Sequence, residues 1–297
     1  MASAVVRRGS AIAVGLDPDP ARLWPGGRTV PAGLAPADAA AFAVADHCRR
    51  VLDATAPACV AVKLQSASFE RLGAPGVAAL RQVADHARAL DLLVVLDAKR
   101  GDIDVSAASY ASAAFGGVAT PWGAVPGTGA DAVTVAPYMG ADSIRPFLDA
   151  AAPVAGGAFV LVRTSNPGAA DLQERALDDG EPVWAATARL VAALGDEATP
   201  AGDAVAAVGA VVGATAPDRI GRLRELMPRA PFLLPGVGAQ GGRVEDLAAA
   251  FAPGPGAALV TASRSVVGAG DAPGAEDHPT AARRAAEALR EAAAGLA

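Results

Sequence analysis

Eight short apolar runs, each followed by a stretch of helix-forming composition, constrain the fold of this chain more than anything else in its sequence. The runs fall at residues 11–17, 59–65, 92–99, 132–137, 158–164, 207–215, 232–238 and 257–263. Runs rich in Val, Ile, Leu and Ala, with little polar alternation, belong to strands covered on both faces, and the segments between them are long enough for crossover helices. The expected fold class is α/β, a single (β/α)8 TIM barrel spanning 1–297 with a last helix near 279–297. A doubly wound open sheet would bury similar strands, but only the strand ends near its switch point would meet. The count of eight favours the barrel. With 52% hydrophobic and only 4% aromatic residues, its core must be packed mainly from small aliphatic side chains. Two Gly- and Pro-rich stretches, 18–36 and 116–129, the second carrying Trp122, read as loops beside the barrel mouth. Residues 268–279 read as a linker.

Charge and cysteine usage narrow the function. A formal net charge of −6 with no Lys/Arg-rich run argues against a nucleic-acid surface, which needs a positive footprint, while leaving room for one nucleotide in a pocket. Cys48 and Cys59 suggest no disulfide framework, no Cys/His cluster has zinc-ligand spacing, and neither a cofactor nor a metal is expected. His47, His86 and His278 form no triad or metal pattern and read as surface or helix-packing residues. The N-terminal apolar stretch is broken by Asp17, Pro18 and Asp19, no later segment gives a membrane span, and a cytoplasmic setting is the expectation.

The chemistry concentrates where the third run ends, in Leu96-Asp97-Ala98-Lys99-Arg100-Gly101-Asp102-Ile103. On a strand, Asp97 and Lys99 share a face, Gly101 permits a turn, and Asp102 follows within reach. Lys63, ending the preceding run, would project toward the same mouth, giving an alternating Lys–Asp–Lys–Asp array. A salt-bridge network at a barrel rim would use the same residues. Alternation turns Arg100 away, so it is assigned no catalytic role. Later, Pro235-Gly236-Val237-Gly238-Ala239-Gln240-Gly241-Gly242 follows a strand and could bring backbone amides close to an anion. Arg264, after the next strand, adds a guanidinium at the adjacent barrel position. Two consecutive late strands ending this way match the usual phosphate site of such barrels. A tight loop and an Arg264 ion pair would account for them otherwise.

Taken in order, Gly15-Leu16-Asp17-Pro18, Val62-Lys63-Leu64-Gln65-Ser66, the 96–103 segment, Arg163-Thr164-Ser165-Asn166-Pro167-Gly168, the 235–242 segment and Ser263-Arg264 resemble the orotidine 5'-phosphate decarboxylases, specifically their longer bacterial subgroup. The resemblance implies decarboxylation of orotidine 5'-phosphate to UMP and CO2 in pyrimidine biosynthesis, without a cofactor. It implies that Lys63, Asp97, Lys99 and Asp102 form a charged tetrad in which Lys99 protonates C6, and that Asp102 reaches into the neighbouring subunit of a homodimer. It further implies substrate contacts from Asp17 to the ribose, Ser165 to the pyrimidine, and Gln240, Gly241 and Arg264 at the phosphate end. Ser106 stands where the family usually carries Thr to bind ribose across the dimer interface. Ala136 departs from a position that is often polar, which leaves any contact from the 132–137 strand open. A magnesium-dependent barrel enzyme acting on a sugar phosphate, a Schiff-base aldolase and a catalytically silent nucleotide binder are the competing readings.

Overall fold

The computed structural model describes residues 1–238 and 240–296. Ala239, within the Gly-rich motif, and Ala297, at the end of the expected terminal helix and domain, lie outside the described residues. In chain order the elements are α1 (Ala2–Arg8), β1 (Ile12–Leu16), α2 (Pro36–Thr55), β2 (Ala61–Gln65), α3 (Ser66–Glu70), α4 (Gly73–Ala89), β3 (Leu93–Arg100) and α5 (Asp104–Ala114). A hairpin of β4 (Val118–Thr120) and β5 (Gly123–Val125) precedes β6 (Ala132–Val135), α6 (Ala141–Ala151), β7 (Gly157–Arg163), α7 (Ala169–Leu172), α8 (Val183–Ala198), β8 (Val208–Val212) and α9 (Pro217–Leu226). The chain ends with β9 (Phe232–Leu234), β10 (Ala258–Ala262), α10 (Arg264–Val267) and α11 (His278–Ala294).

Eight of the strands close into a barrel in the order β1-β10-β9-β8-β7-β6-β3-β2, with every neighbouring pair parallel. The (β/α)8 expectation is met, strand for strand. The strands are buried because both faces are covered: β1, β6, β8, β9 and β10 have no exposed residue. Around them, helices present narrow apolar stripes. In α2 the buried set Ala41, Val44, Ala45, Cys48, Val51 and Leu52 repeats every three or four residues, as a helix with one covered face requires. Fully burying each Val or Leu in such a stripe contributes roughly 1.5–3 kcal/mol. Sequence also sets the ends. Pro36 and Pro217 occupy the first turns of α2 and α9, where a missing N–H costs nothing, and the Asp277 side chain caps α11 by accepting from Thr280 N. Strand β9 stops at Leu234, well short of 238, because Pro235 has no ladder donor and Gly236 turns the chain at φ 100°.

The 116–129 segment is not a loop beside the mouth. It is a two-stranded antiparallel hairpin, paired Val118↔Val125 to Thr120↔Gly123, and it lies toward the opposite end of the barrel. The reason is topological: it follows a helix and precedes a strand, so it joins the ends remote from the strand C-termini. Arg88, in the last turn of α4, donates to Thr128 O and Gly129 O at 2.9 and 2.8 Å, and Arg81 donates to Pro126 O. Residues 18–36 do follow a strand and do border the mouth. Trp24 pins them, its indole N–H donating to Val267 O at 2.8 Å and its backbone N–H to His47 Nδ1 at 3.2 Å.

At the end of the barrel away from the mouth, Arg224 of α9 is 7% exposed. Its guanidinium donates to the carbonyls of Met227, Ala230, Ala250 and Ala257 and lies 3.8 Å from the centroid of the Phe232 ring. Burial pushes its pKa down to about 10, so it remains a cation at neutral pH.

Candidate active site

The C-terminal ends of the strands enclose a cavity of about 550 Å³. Lys63, Asp97 and Lys99 stand at its charged side. Strands β2 and β3 pair with Lys63 opposite Val95 and Gln65 opposite Asp97, which leaves Lys63 one diagonal step from Asp97. Its ammonium donates to Asp97 Oδ2 at 2.6 Å, and that of Lys99 donates to Oδ1 at 2.5 Å. Asp97 is 6% exposed. Burial alone would raise its pKa, but the two flanking ammoniums outweigh that and hold it below the usual carboxylate value.

Lys99 reaches Asp97 by a route that strict alternation does not describe. Between β3 and β6 the register jumps from Leu96↔Val133 to Arg100↔Val135, so that Asp97, Ala98 and Lys99 together face the single residue Thr134. Lys99 takes a left-handed backbone conformation, φ 47°, which for a residue with a side chain costs on the order of 1 kcal/mol or more. The Thr134 hydroxyl bridges this bulge, accepting from Lys99 N and donating to Asp97 Oδ1, both at 2.9 Å.

The other end of the cavity is polar and cationic. Gln240 and Arg264 line it, and the Gln240 amide oxygen folds over Gly236, where a Cβ would come within 3.0 Å of it. Arg264 is exposed and, among the described residues, no carboxylate pairs with it, so the competing reading of an ion pair there fails. The glycine amides act differently from the expectation. Those of Gly238, Gly241 and Gly242 donate to the carbonyls of Gly242, Gly238 and Gly236, folding the loop on itself. Gly241 does not line the cavity. At this end the cavity therefore presents the side chains of Gln240 and Arg264 rather than those three amides.

Asp17 and Ser165 also line the cavity. Ser263 Oγ donates to Gly15 O at 2.9 Å and contacts Asp17 Oδ1. Ser165 crosses Gly213 so closely that a Cβ there would lie 2.9 Å from Ser165 backbone atoms. Asp102 and Ser106 are not part of this cavity. Asp102 Oδ1 accepts from Ile103 N, and Ser106 is exposed on α5. Arg100 does not line the cavity, as expected; it pairs with Glu70 and lies 5.0 Å from the centroid of the Tyr110 ring.

Among the residues that line the cavity, Thr134 and Gln173 lie outside every motif, while Gln65, Thr164 and Asn166 lie within motifs that assign them no role. Gln173 is the least visible. Its amide accepts from Thr164 N and donates to Thr164 Oγ1, both at 2.9 Å, clamping the loop that carries Ser165. Thr134 had a signal, a polar residue inside a four-residue run that is otherwise apolar. In the 132–137 run Ala136 does not line the cavity, whereas Thr134 does.

Of the formally charged side chains around the cavity, three are cationic (Lys63, Lys99, Arg264) and two anionic (Asp17, Asp97). A chain of net charge −6 thus presents a mouth with a positive excess, suited to a small polyanion. The apolar walls Leu161, Val211 and Leu233 exclude water on the remaining sides and strengthen electrostatic interactions inside.

Comparison with known proteins agrees with this geometry. Residues 10–276 match the model of the orotidine 5'-phosphate decarboxylase / HUMPS family. An orotidine 5'-phosphate decarboxylase of Rhodopirellula baltica is 40% identical over 268 residues, covering 89% of this chain and 86% of that protein. Another from Deinococcus radiodurans is 46% identical over 216 residues, 73% and 74% of the two chains. The structure of Leishmania donovani OMP decarboxylase superposes with a TM-score of 0.73 at 31% identity, covering 99% of this chain and 97% of that one.

Proposed function

From the premise that the chain belongs to the orotidine 5'-phosphate decarboxylase / HUMPS family, we propose that it converts orotidine 5'-phosphate to UMP and CO2 in pyrimidine biosynthesis. The observation that carries this reading is a buried carboxylate held between two ammoniums at one side of a cavity whose far side carries an amide and an unpaired guanidinium. The substrate has a carboxylate at one end and a phosphate at the other, and the positive excess of the mouth offsets that charge. Arg264 and Gln240 bind the phosphate, Asp17 the ribose and Ser165 the pyrimidine.

When the bond from C6 to the carboxylate breaks, its electron pair stays on C6, where no conjugated carbonyl absorbs it easily. The developing carbanion must be stabilised electrostatically. The Lys99 ammonium faces it, then gives C6 a proton and later recovers one from solvent. Asp97, fixed by both lysines, stands near the departing carboxylate and raises its energy until CO2 leaves uncharged. Lys63 holds Asp97 ionised and in place. Phosphate binding contributes to rate as well as affinity, because it anchors the substrate against this array.

Asp102 and Ser106 complete the site from a second copy of the chain, so the enzyme acts as a homodimer. Their position outside the cavity of their own chain supports this. Mixing inactive Asp102→Asn and Lys99→Ala proteins should restore activity once subunits exchange, since one hybrid site then carries both native residues; proven exchange without recovery would overturn the shared site. The ordered motifs around Lys63, Asp97–Asp102 and Arg163–Gly168 favour the longer bacterial subgroup, with the whole chain acting as one barrel domain. The two cysteines are buried and unpaired, which suits a reducing cytoplasm; no helix among the described residues is long and apolar enough to cross a membrane. The reaction itself is tested by incubating purified protein with orotidine 5'-phosphate and EDTA and following UMP and CO2. Turnover in EDTA supports the decarboxylase; activity that requires added magnesium and a sugar phosphate would replace it with the competing barrel chemistry.

A further inference from the structure

We propose that Thr134 is a positioning residue for the decarboxylation, setting where the Lys99 ammonium and the Asp97 carboxylate stand relative to each other. The inference rests on the reading of Asp97 and Lys99 given above. Its basis is the bulge. Three residues of β3, two of them charged, face one residue of β6 across the register jump, and that residue is a threonine only 1% exposed. A bulge leaves backbone groups without ladder partners, and a buried N–H without a partner is costly. At Lys99 the Thr134 hydroxyl supplies the missing acceptor at 2.9 Å. The same oxygen donates its proton to Asp97 Oδ1 at 2.9 Å, the carboxylate oxygen that also accepts from the Lys99 ammonium at 2.5 Å.

One hydroxyl therefore fixes the backbone of one charged residue and the side chain of the other. Its two bonds have opposite sense, as a hydroxyl alone among side chains of this size allows. The left-handed turn at Lys99 gives the arrangement something to hold: without its acceptor, the bulge can relax toward ordinary strand geometry and carry the ammonium away from its place above Asp97. A valine has the shape of threonine without the hydroxyl. A serine keeps the hydroxyl without the methyl group.

The test compares Thr134→Val and Thr134→Ser with wild type, using kcat and KM for orotidine 5'-phosphate, and thermal melting to establish folding. Thr134→Val should lower kcat by roughly 10- to 100-fold, the scale on which small misplacements of reacting groups act, with KM changed by less than about threefold because the phosphate end is untouched. Thr134→Ser should restore most of kcat even though its smaller side chain packs less well and melts lower. Should the valine protein fail to fold, Thr134→Ala serves in its place with the same expectation. A separate readout follows solvent deuterium entering C6 of UMP, which requires the Lys99 proton transfer and no decarboxylation; it should fall in parallel with kcat. A folded valine variant with wild-type kcat, or a serine variant as impaired as valine, would overturn the positioning role. Absence of turnover in folded wild type would instead remove the decarboxylase reading, and the role of Thr134 with it.

Discussion

Asp97 and Arg224 are both buried charges in the same barrel, 6% and 7% exposed, yet they sit at opposite ends and are neutralised in opposite ways. Arg224 is surrounded by backbone carbonyls and an aromatic face. Those groups are fixed by the fold, so the charge is committed to tying the end of α9 to the loops that lead into β9 and β10. Asp97 is neutralised by two ammoniums and a hydroxyl, and the Lys99 side chain is 45% exposed. Each ammonium has three donors and gives one to Asp97, which leaves donors for a ligand. A buried charge met by fixed dipoles holds structure together; one met by partly exposed counter-charges, beside a cavity, can act on what enters.

The comparison breaks if the two ends respond alike to substitution. The largest effect is expected for Lys99→Ala, a loss in kcat on the order of 10⁴-fold, equivalent to roughly 5 kcal/mol of transition-state stabilisation, with a melting temperature close to wild type. A variant that unfolds instead would make Lys99 structural. Next comes Arg224→Met, which strands several carbonyls; chemical denaturation should show a loss of about 3–5 kcal/mol, while kcat per folded molecule stays near wild type. Reduced kcat in the folded variant would join the two ends into one functional unit. The smallest effect is expected for Arg264→Ala. Removing a charge-assisted contact should lower kcat/KM by roughly 10- to 100-fold, with part of the loss in kcat; an unchanged kcat/KM would take Arg264 out of phosphate binding.

Much of the mouth was legible in sequence because its determinants are local. Strands buried on both faces leave apolar runs, and charged residues from the middle of those strands onward, such as Lys63 and Asp97, mark the end that opens on the mouth. Ordered motifs then pointed to a family. What stayed illegible depended on contacts between distant segments. The pairing of β3 with β6 forces the bulge at 97–99, and nothing in Asp97-Ala98-Lys99 itself announces a left-handed lysine. Thr134 matters only once that register is known. The glycines of 236–242 predicted amides facing an anion, but a glycine grants conformational freedom without fixing its use, and here three of the amides close the loop. The hairpin at 118–125 was misplaced because Gly and Pro signal turns equally at either end of a barrel; only its place after a helix locates it. Arg224 left no sequence signal, since an arginine in the last turn of an amphipathic helix ordinarily faces solvent.

The central claim is that the Lys99 ammonium, held on the bulged strand beside Asp97, delivers the proton that replaces CO2. The most direct measurement is a single-turnover reaction of orotidine 5'-phosphate in deuterium oxide, comparing wild type with Lys99→Ala and reading both the rate and the isotope at C6 of the UMP formed. The expected result is one deuteron at C6 from wild type and a rate collapse in the variant, with UMP still bound. Formation of UMP by folded Lys99→Ala at the wild-type rate would contradict the account.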